Sequence, residues 1–135
     1  MAILSRATFA ELEAIAASCP LPAHQILKPA ETGSVMIEGR AGGTGCRFNL
    51  GEATMTRCVV RIECGTMGHA YALGRDKRKA VISAILDALL QDEPEGGVLH
   101  EAVAQLHARQ QAAQTQASRK AAATKVEFFT MVRGE

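Results

Sequence analysis

Apolar positions recur along this chain with two different periods, and each change of period marks an element. Phe9, Leu12, Ile15 and Ala16 follow one another at helical spacing. Thr8 and Glu11 in front of them spell a capping box, in which the threonine hydroxyl accepts from a first-turn amide and the glutamate reaches back to the cap. Pro20 and Pro22 stop that helix near Ser18. "HQILKP" and "SVMIEGR" then read as two short strands, with Ala30–Gly33 as the turn between them and Val35 and Ile37 on one face. Further on, "ATMTRCVVRIE" alternates Thr54, Thr56, Cys58, Val60 and Ile62 with Met55, Arg57, Val59 and Arg61, which makes one face core and the other partly charged. Glu63–Thr66 holds the glycine of a tight turn, and "MGHAYALG" returns as the partner strand.

At "GRDKRKAVISAILDALLQDEP" the period turns helical again. Val81, Ile82, Ile85, Leu86, Leu89 and Leu90 form a stripe, Asp76 is placed to cap it, and Pro94 with Gly96 and Gly97 ends it. A longer helix over about 98 to 122 carries Leu99, Val103 and Leu106 on a face that fades into Ala, Gln and Arg. That second half favours helix by composition but has little to bury alone, so it either frays or leans on another protein. The last residues, "KVEFFTMVRGE", are apolar on both faces of an alternating segment. They suit a final strand sandwiched in the chain's own sheet, or a tail that docks on a partner by strand addition. The pattern predicts an α+β fold, one domain over residues 1–135: a small antiparallel sheet of about four strands, an N-terminal helix, two longer C-terminal helices and an extended apolar C-terminal tail.

Composition narrows the function. With 135 residues and 47% hydrophobic content, the chain suits a single core. Aromatics at 4%, the lack of tryptophan and a net charge of +1 argue against nucleic-acid binding, which draws on stacking platforms and an excess of Lys and Arg. No apolar run approaches the ~20 residues of a membrane span, and the start "MAILSRATFAELEA" has no signal core. A cytoplasmic location is expected. Cys19, Cys46, Cys58 and Cys64 contain no C-x-x-C pair. A metal reading of Cys58, Cys64 and His69 stands against the plainer one of small core thiols, and no metal is expected.

The densest chemistry lies between residues 39 and 58, "GRAGGTGCRFNLGEATMTRC". Its glycines suggest a phosphate cradle, yet the spelling fits neither the Walker loop nor the dinucleotide turn. Glu52 with Thr54, Thr56 and Arg57 is the tightest polar group, and a Glu–Arg pair there would brace the loop. Arg75, Lys77, Arg78 and Lys79 surround the predicted start of a helix, where an anion would be favoured. Asp76 competes for the same amides, and a solvated charged turn is the plainer reading. His24, His69, His100 and His107 fall in different elements. His69 is the best placed of them, either as a base or as a hydrogen-bonded structural group.

Three separated strings carry a resemblance: "ETGSVMIEGRAGGTGCRFNLGEATMTRCVVR" (31 to 61), "LGRDKRKA" (73 to 80) and "EFFTMVRGE" (127 to 135). Together they resemble the PhnG family of the bacterial carbon–phosphorus lyase system. Cys46 and Cys64 depart from the family pattern, outside its strongest motifs. The resemblance implies a subunit of a multi-subunit complex with PhnH, PhnI and PhnJ partners, in which methylphosphonate displaces adenine from ATP to give ribose 1-methylphosphonate 5-triphosphate. It also implies that PhnI is catalytic and that this chain supports it without a cofactor of its own. Gly42, Gly43, Gly45, Phe48 and Glu52 of the loop, with Phe128, Phe129, Met131 and Arg133 of the tail, are then the expected partner-facing residues. In the alternative, Thr44, Arg57, Arg75 and Lys77 bind the triphosphate or phosphonate directly. An independent small enzyme built on His69 is the remaining reading.

Overall fold

The computed structural model describes residues 1–126, so the tail with Phe128, Phe129, Met131 and Arg133 lies outside the described residues. The elements follow in the order α1 (Ala2–Arg6), α2 (Phe9–Ser18), β1 (His24–Arg40), β2 (Arg47–Ile62), β3 (Met67–Leu73), α3 (Lys77–Asp92) and α4 (Val98–Ala123). The capping box forms as spelled: Glu11 N donates to Thr8 Oγ1 at 3.4 Å and Thr8 N donates to Glu11 Oε2 at 2.8 Å. Helix α1 leaves no mark in the apolar pattern, because five residues are too few for a period to show. It nonetheless buries Leu4 completely.

The sheet has three antiparallel strands in the order β1-β2-β3, not about four. The two strands expected from "HQILKP" and "SVMIEGR" are one strand, and Ala30–Gly33 makes no turn. Pro29 explains the difference. Lys28 pairs with Val59 and Glu31 with Arg57, so Pro29 and Ala30 together face Cys58 alone in a bulge. A proline lacks the N–H that a ladder needs, but a bulge on an edge strand asks for none. The Cys58 thiol donates to the Lys28 carbonyl beside this slip, at 3.5 Å.

Helix α3 lies on one face of the sheet and carries the other helices on its back. Cys58, Val60, Ile62 and Ala70 of the sheet meet Ala80, Ala84, Ile85 and Ala88 of α3. On the far side, Leu86 packs with Leu4, Leu12, Ile15, Leu99 and Leu106 of the remaining helices. The apolar stripe read from the sequence therefore explains only half of α3, whose alanines form the second buried side. Gly68, Ala70 and Ala72 are the buried positions of β3. A Cβ on Gly68 would overlap the Ala84 carbonyl oxygen and stand 2.7 Å from the Ala88 nitrogen, so the helix backbone rests directly on the strand. Asp87 of α3 accepts from His69 N at 3.1 Å and Gln91 donates to the Met67 carbonyl at 3.0 Å, which occupies the first part of the outer edge of β3.

Two polar devices tie the ends. Asp76 Oδ1 accepts from Lys79 N at 3.0 Å and caps α3 as expected. Helix α4 is capped from further away, since Glu93 accepts from the amides of Leu99 and His100 and from His100 Nδ1, each at 3.1 Å. Gly97 leaves the space, because any side chain there would collide with the Glu93 carboxyl. Partial burial pushes Glu93 up, but these hydrogen bonds outweigh it and hold the carboxyl below its ordinary range.

Two outcomes follow from this packing. Gly68→Ala loses about 3 kcal/mol in urea unfolding, because the clash is with backbone, whereas Ser83→Ala, which removes a buried hydroxyl with no partner among the described residues, holds or gains about 1 kcal/mol. A group whose folded pKa is depressed stabilises fully above its unfolded pKa and stops doing so as pH falls through the folded value. Glu93 therefore adds to the acid limb below its ordinary 4.5, and Glu93→Gln removes that share when urea midpoints are compared at neutral and acid pH.

Candidate functional site

Strands β1 and β2 outrun β3. The third strand pairs with Met55 to Arg61 only, while β1 and β2 continue alone from Ser34↔Thr54 to Arg40↔Arg47. At the usual strand rise this leaves about 20 Å of two-stranded ribbon, an arm with no third strand among the described residues. Its root is locked. Thr56, fully buried, donates to the Gly74 carbonyl at 2.8 Å and shares a 3.0 Å bond with the Thr32 hydroxyl. Gly74 N donates to the Thr54 carbonyl at 2.9 Å, and Gly74 takes φ 100° to turn the chain from β3 toward α3.

Alternation splits the arm into two faces. Val35, Ile37 and Phe48 share one face, and Ser34, Glu38 and Asn49 the other, where Met36 stands opposite Glu52. The register slips between Ile37 and Glu38, which sets Leu50 beside Phe48 over Gly39, where a Cβ would meet the Phe48 ring at 3.3 Å and Leu50 Cβ at 3.8 Å. Phe48 and Leu50 are 47% and 66% exposed. The same face runs on into the uncovered side of the sheet through Met55 and Leu73, paired across β2 and β3.

At the tip the chain makes one turn of 3-10 helix, Ala41–Gly43, with Gly42 at φ 61° and Gly43 at φ 84°. Gly45 N donates to the Ala41 carbonyl at 2.8 Å, an approach that a Cβ would bring to 2.6 Å. Backbone geometry therefore orders the loop. The expected Glu52–Arg57 brace does not form: Glu52 sits opposite Met36 on the arm, and Arg57 pairs with Glu31 at 3.3 Å. Arg40 and Arg47 face each other at the end of the ladder. Arg47 has Glu38 at 3.7 Å, and Arg40 has no ion pair among the described residues.

The residues read as ligand contacts lie in three places. Thr44 is at the tip, Arg57 is on the uncovered sheet face roughly 30 Å of strand away, and Arg75 and Lys77 flank the Asp76 cap, both exposed. Their neighbours are occupied otherwise. Arg78 lies over the Phe9 ring at 4.6 Å, and Lys79 Nζ donates to the Ser5 carbonyl at 2.9 Å, so both pin the first two helices to α3. A shallow cleft of about 190 Å³ at the arm root is lined by Glu31, Thr32, Gly33, Ser34, Met55 and Arg57.

The thiols and imidazoles are dispersed. Cys58 is buried on the core face, which pushes its thiol up, while His69 is exposed on the opposite face between Met67 and Tyr71. Its side chain has no hydrogen-bond partner among the described residues, so it is not the hydrogen-bonded structural group considered from sequence. Cys46 and Cys64 are exposed, not core thiols. Cys64 donates to Asp92, as does Thr66 Oγ1 at 2.6 Å, and these bonds hold the Asp92 carboxyl below its ordinary range while clamping the β2–β3 turn to the end of α3. Among the described residues no three His, Cys, Asp or Glu side chains gather as metal ligands. The His100–Glu93 pair is spent on capping α4.

The sequence matches the family model described as phosphonate metabolism protein PhnG over residues 1–134. It is also 45% identical over 139 residues to the alpha-D-ribose 1-methylphosphonate 5-triphosphate synthase subunit PhnG of Rhizobium meliloti (strain 1021), a similarity that covers 100% of this chain and 87% of that protein.

Proposed function

Because the chain belongs to the PhnG family of phosphonate metabolism proteins, we propose that it is a supporting subunit of a synthase that makes alpha-D-ribose 1-methylphosphonate 5-triphosphate. In this reading an oxygen of methylphosphonate bonds to C1 of the ATP ribose, the glycosidic bond to adenine breaks, and adenine leaves. PhnI carries that chemistry, with PhnH and PhnJ in the same assembly, in the cytoplasm where ATP is at hand. The present chain holds no cofactor and keeps its partner in an active shape.

One observation carries the reading. Among the described residues no histidine side chain hydrogen-bonds to a hydroxyl or a thiol, yet they hold a long hairpin with Phe48 and Leu50 exposed on its apolar face. Gly42, Gly43, Gly45, Phe48 and Glu52 are the partner-facing residues of that hairpin, and Phe128, Phe129, Met131 and Arg133 join them on sequence grounds. A second reading, in which Thr44, Arg57, Arg75 and Lys77 touch the triphosphate or phosphonate, draws on the exposed Arg75 and Lys77, which have no ion pair among the described residues.

The test is adenine release from ATP and methylphosphonate, followed by chromatography. Release is expected when this chain is combined with PhnI and PhnH and is lost when it is omitted. Release by the isolated chain would overturn the supporting role.

A further inference from the structure

The arm and helix α4 leave the body at the same end. Asp87 lies 3.8 Å from the Met1 amino group and Lys79 Nζ donates to the Ser5 carbonyl at 2.9 Å, so α1 runs back along α3 toward the arm root. Helix α4 runs with it. Glu93 holds its first turn at the far end of α3, Gln110 donates to the Ile3 carbonyl at 3.0 Å, and Gln114 shares a cleft with Arg6. From Gln114, level with the start of α3, the helix continues to Ala123, about 14 Å further, and every residue of that length is exposed. The chain therefore passes Val126 at the arm's end of the molecule.

Residues 127–135, "EFFTMVRGE", are apolar on both alternations, with Phe129 and Met131 on one and Phe128 and Val132 on the other. The arm has a place for such a segment. Strand β3 ends at Leu73, and Gly74 N donates to the Thr54 carbonyl before the chain turns away. By the alternation of an antiparallel ladder Glu52 turns its amide and carbonyl the same way as Thr54, and among the described residues no strand pairs with it there. Met36 on one face of the arm is 51% exposed and Phe48 on the other 47%, so an added strand meets apolar side chains on both faces.

We propose that residues 127–135 return from the end of α4 and add a third strand to the arm, on the outer edge of β2 where β3 leaves it. The reach suffices: an extended chain of this length spans about 30 Å, which crosses two packing layers of about 9 Å each and leaves about four residues to lie along β2. Tethering selects this occupant. A segment joined to the fold by Thr124–Val126 meets the edge at an effective concentration on the order of millimolar, and a second copy would bring the same contacts without the tether. A separate subunit would find the edge already filled. The ribbon, at best marginally stable with two strands, becomes a three-stranded extension, and a docking subunit meets arm and tail as one preformed surface.

Amide hydrogen exchange of the isolated full-length chain tests this, read residue by residue beside a chain ending at Val126 and a Phe129→Ser, Met131→Ser double variant. The Glu52 amide exchanges on the order of tenfold or more slower in the full chain than in either variant, while the amides of β3 and α3 keep their rates and show that the fold is intact. The double variant keeps the chain length and decides the matter if the shortened chain does not fold. Equal exchange at Glu52 in all three chains would overturn the proposal. So would protection that appears only as concentration rises, which marks a second copy, or only when the other synthase subunits are added, which marks one of those. The adenine-release test of the subunit role stands apart from all of these outcomes.

Discussion

The contact that everything else hangs on is the seating of α3 against β3 at Gly68. Without a side chain at that position the helix backbone settles onto the strand, and the alanines at 84 and 88 keep the gap closed. Once α3 is fixed there, its other residues find their tasks by position alone. Ile85 and Leu86 point into different cores. Asp87 and Gln91 reach the outer edge of β3, and Asp92 meets the turn between β2 and β3. Arg78 and Lys79, at its start, hold the two small N-terminal helices. A helix with a single apolar stripe could not serve both layers. This one is enclosed on two sides because it mixes branched residues with small ones.

The same arrangement leaves the arm outside the protection of α3. The sheet residues buried against α3 are Cys58, Val60, Ile62 and Ala70, and past Met55 the hairpin has no third strand among the described residues. The bonds among Thr32, Thr56 and Gly74 stand at the boundary between the supported and unsupported lengths. That is where a rigid root is most useful to a projecting element, since a loose root would let the ribbon swing and raise the entropy lost on docking.

Much of this was legible in the sequence because the signals were local. The Thr8–Glu11 box, the Asp76 cap, the alternation of β2 and the Gly65 turn each occupy a few adjacent positions, and each is found where it was read. What stayed hidden depends on partners distant in sequence. A proline followed by polar residues and a glycine reads as a turn, and only pairing with Val59 and Arg57 makes Lys28–Glu31 a bulge within one strand. Glu93 caps a helix that begins beyond Gly97, across a loop with no spelling of its own. The glycine-rich stretch was visible as unusual, but the ribbon behind it was not, since its length appears only once β3 is seen to stop short. The family resemblance rested on strings of residues and was borne out over the whole chain.

The occupied edge of β3 has a consequence for how such sheets can meet. Asp87 and Gln91 take up the His69 amide and the Met67 carbonyl on the outer side of β3, and the bulges at Leu27 and Pro29 interrupt the outer side of β1. A sheet with two open borders can add neighbours without limit and grow into a fibre. Along the three-stranded part of this sheet both borders are broken within a few residues, which leaves an added strand only short runs of backbone groups to pair with.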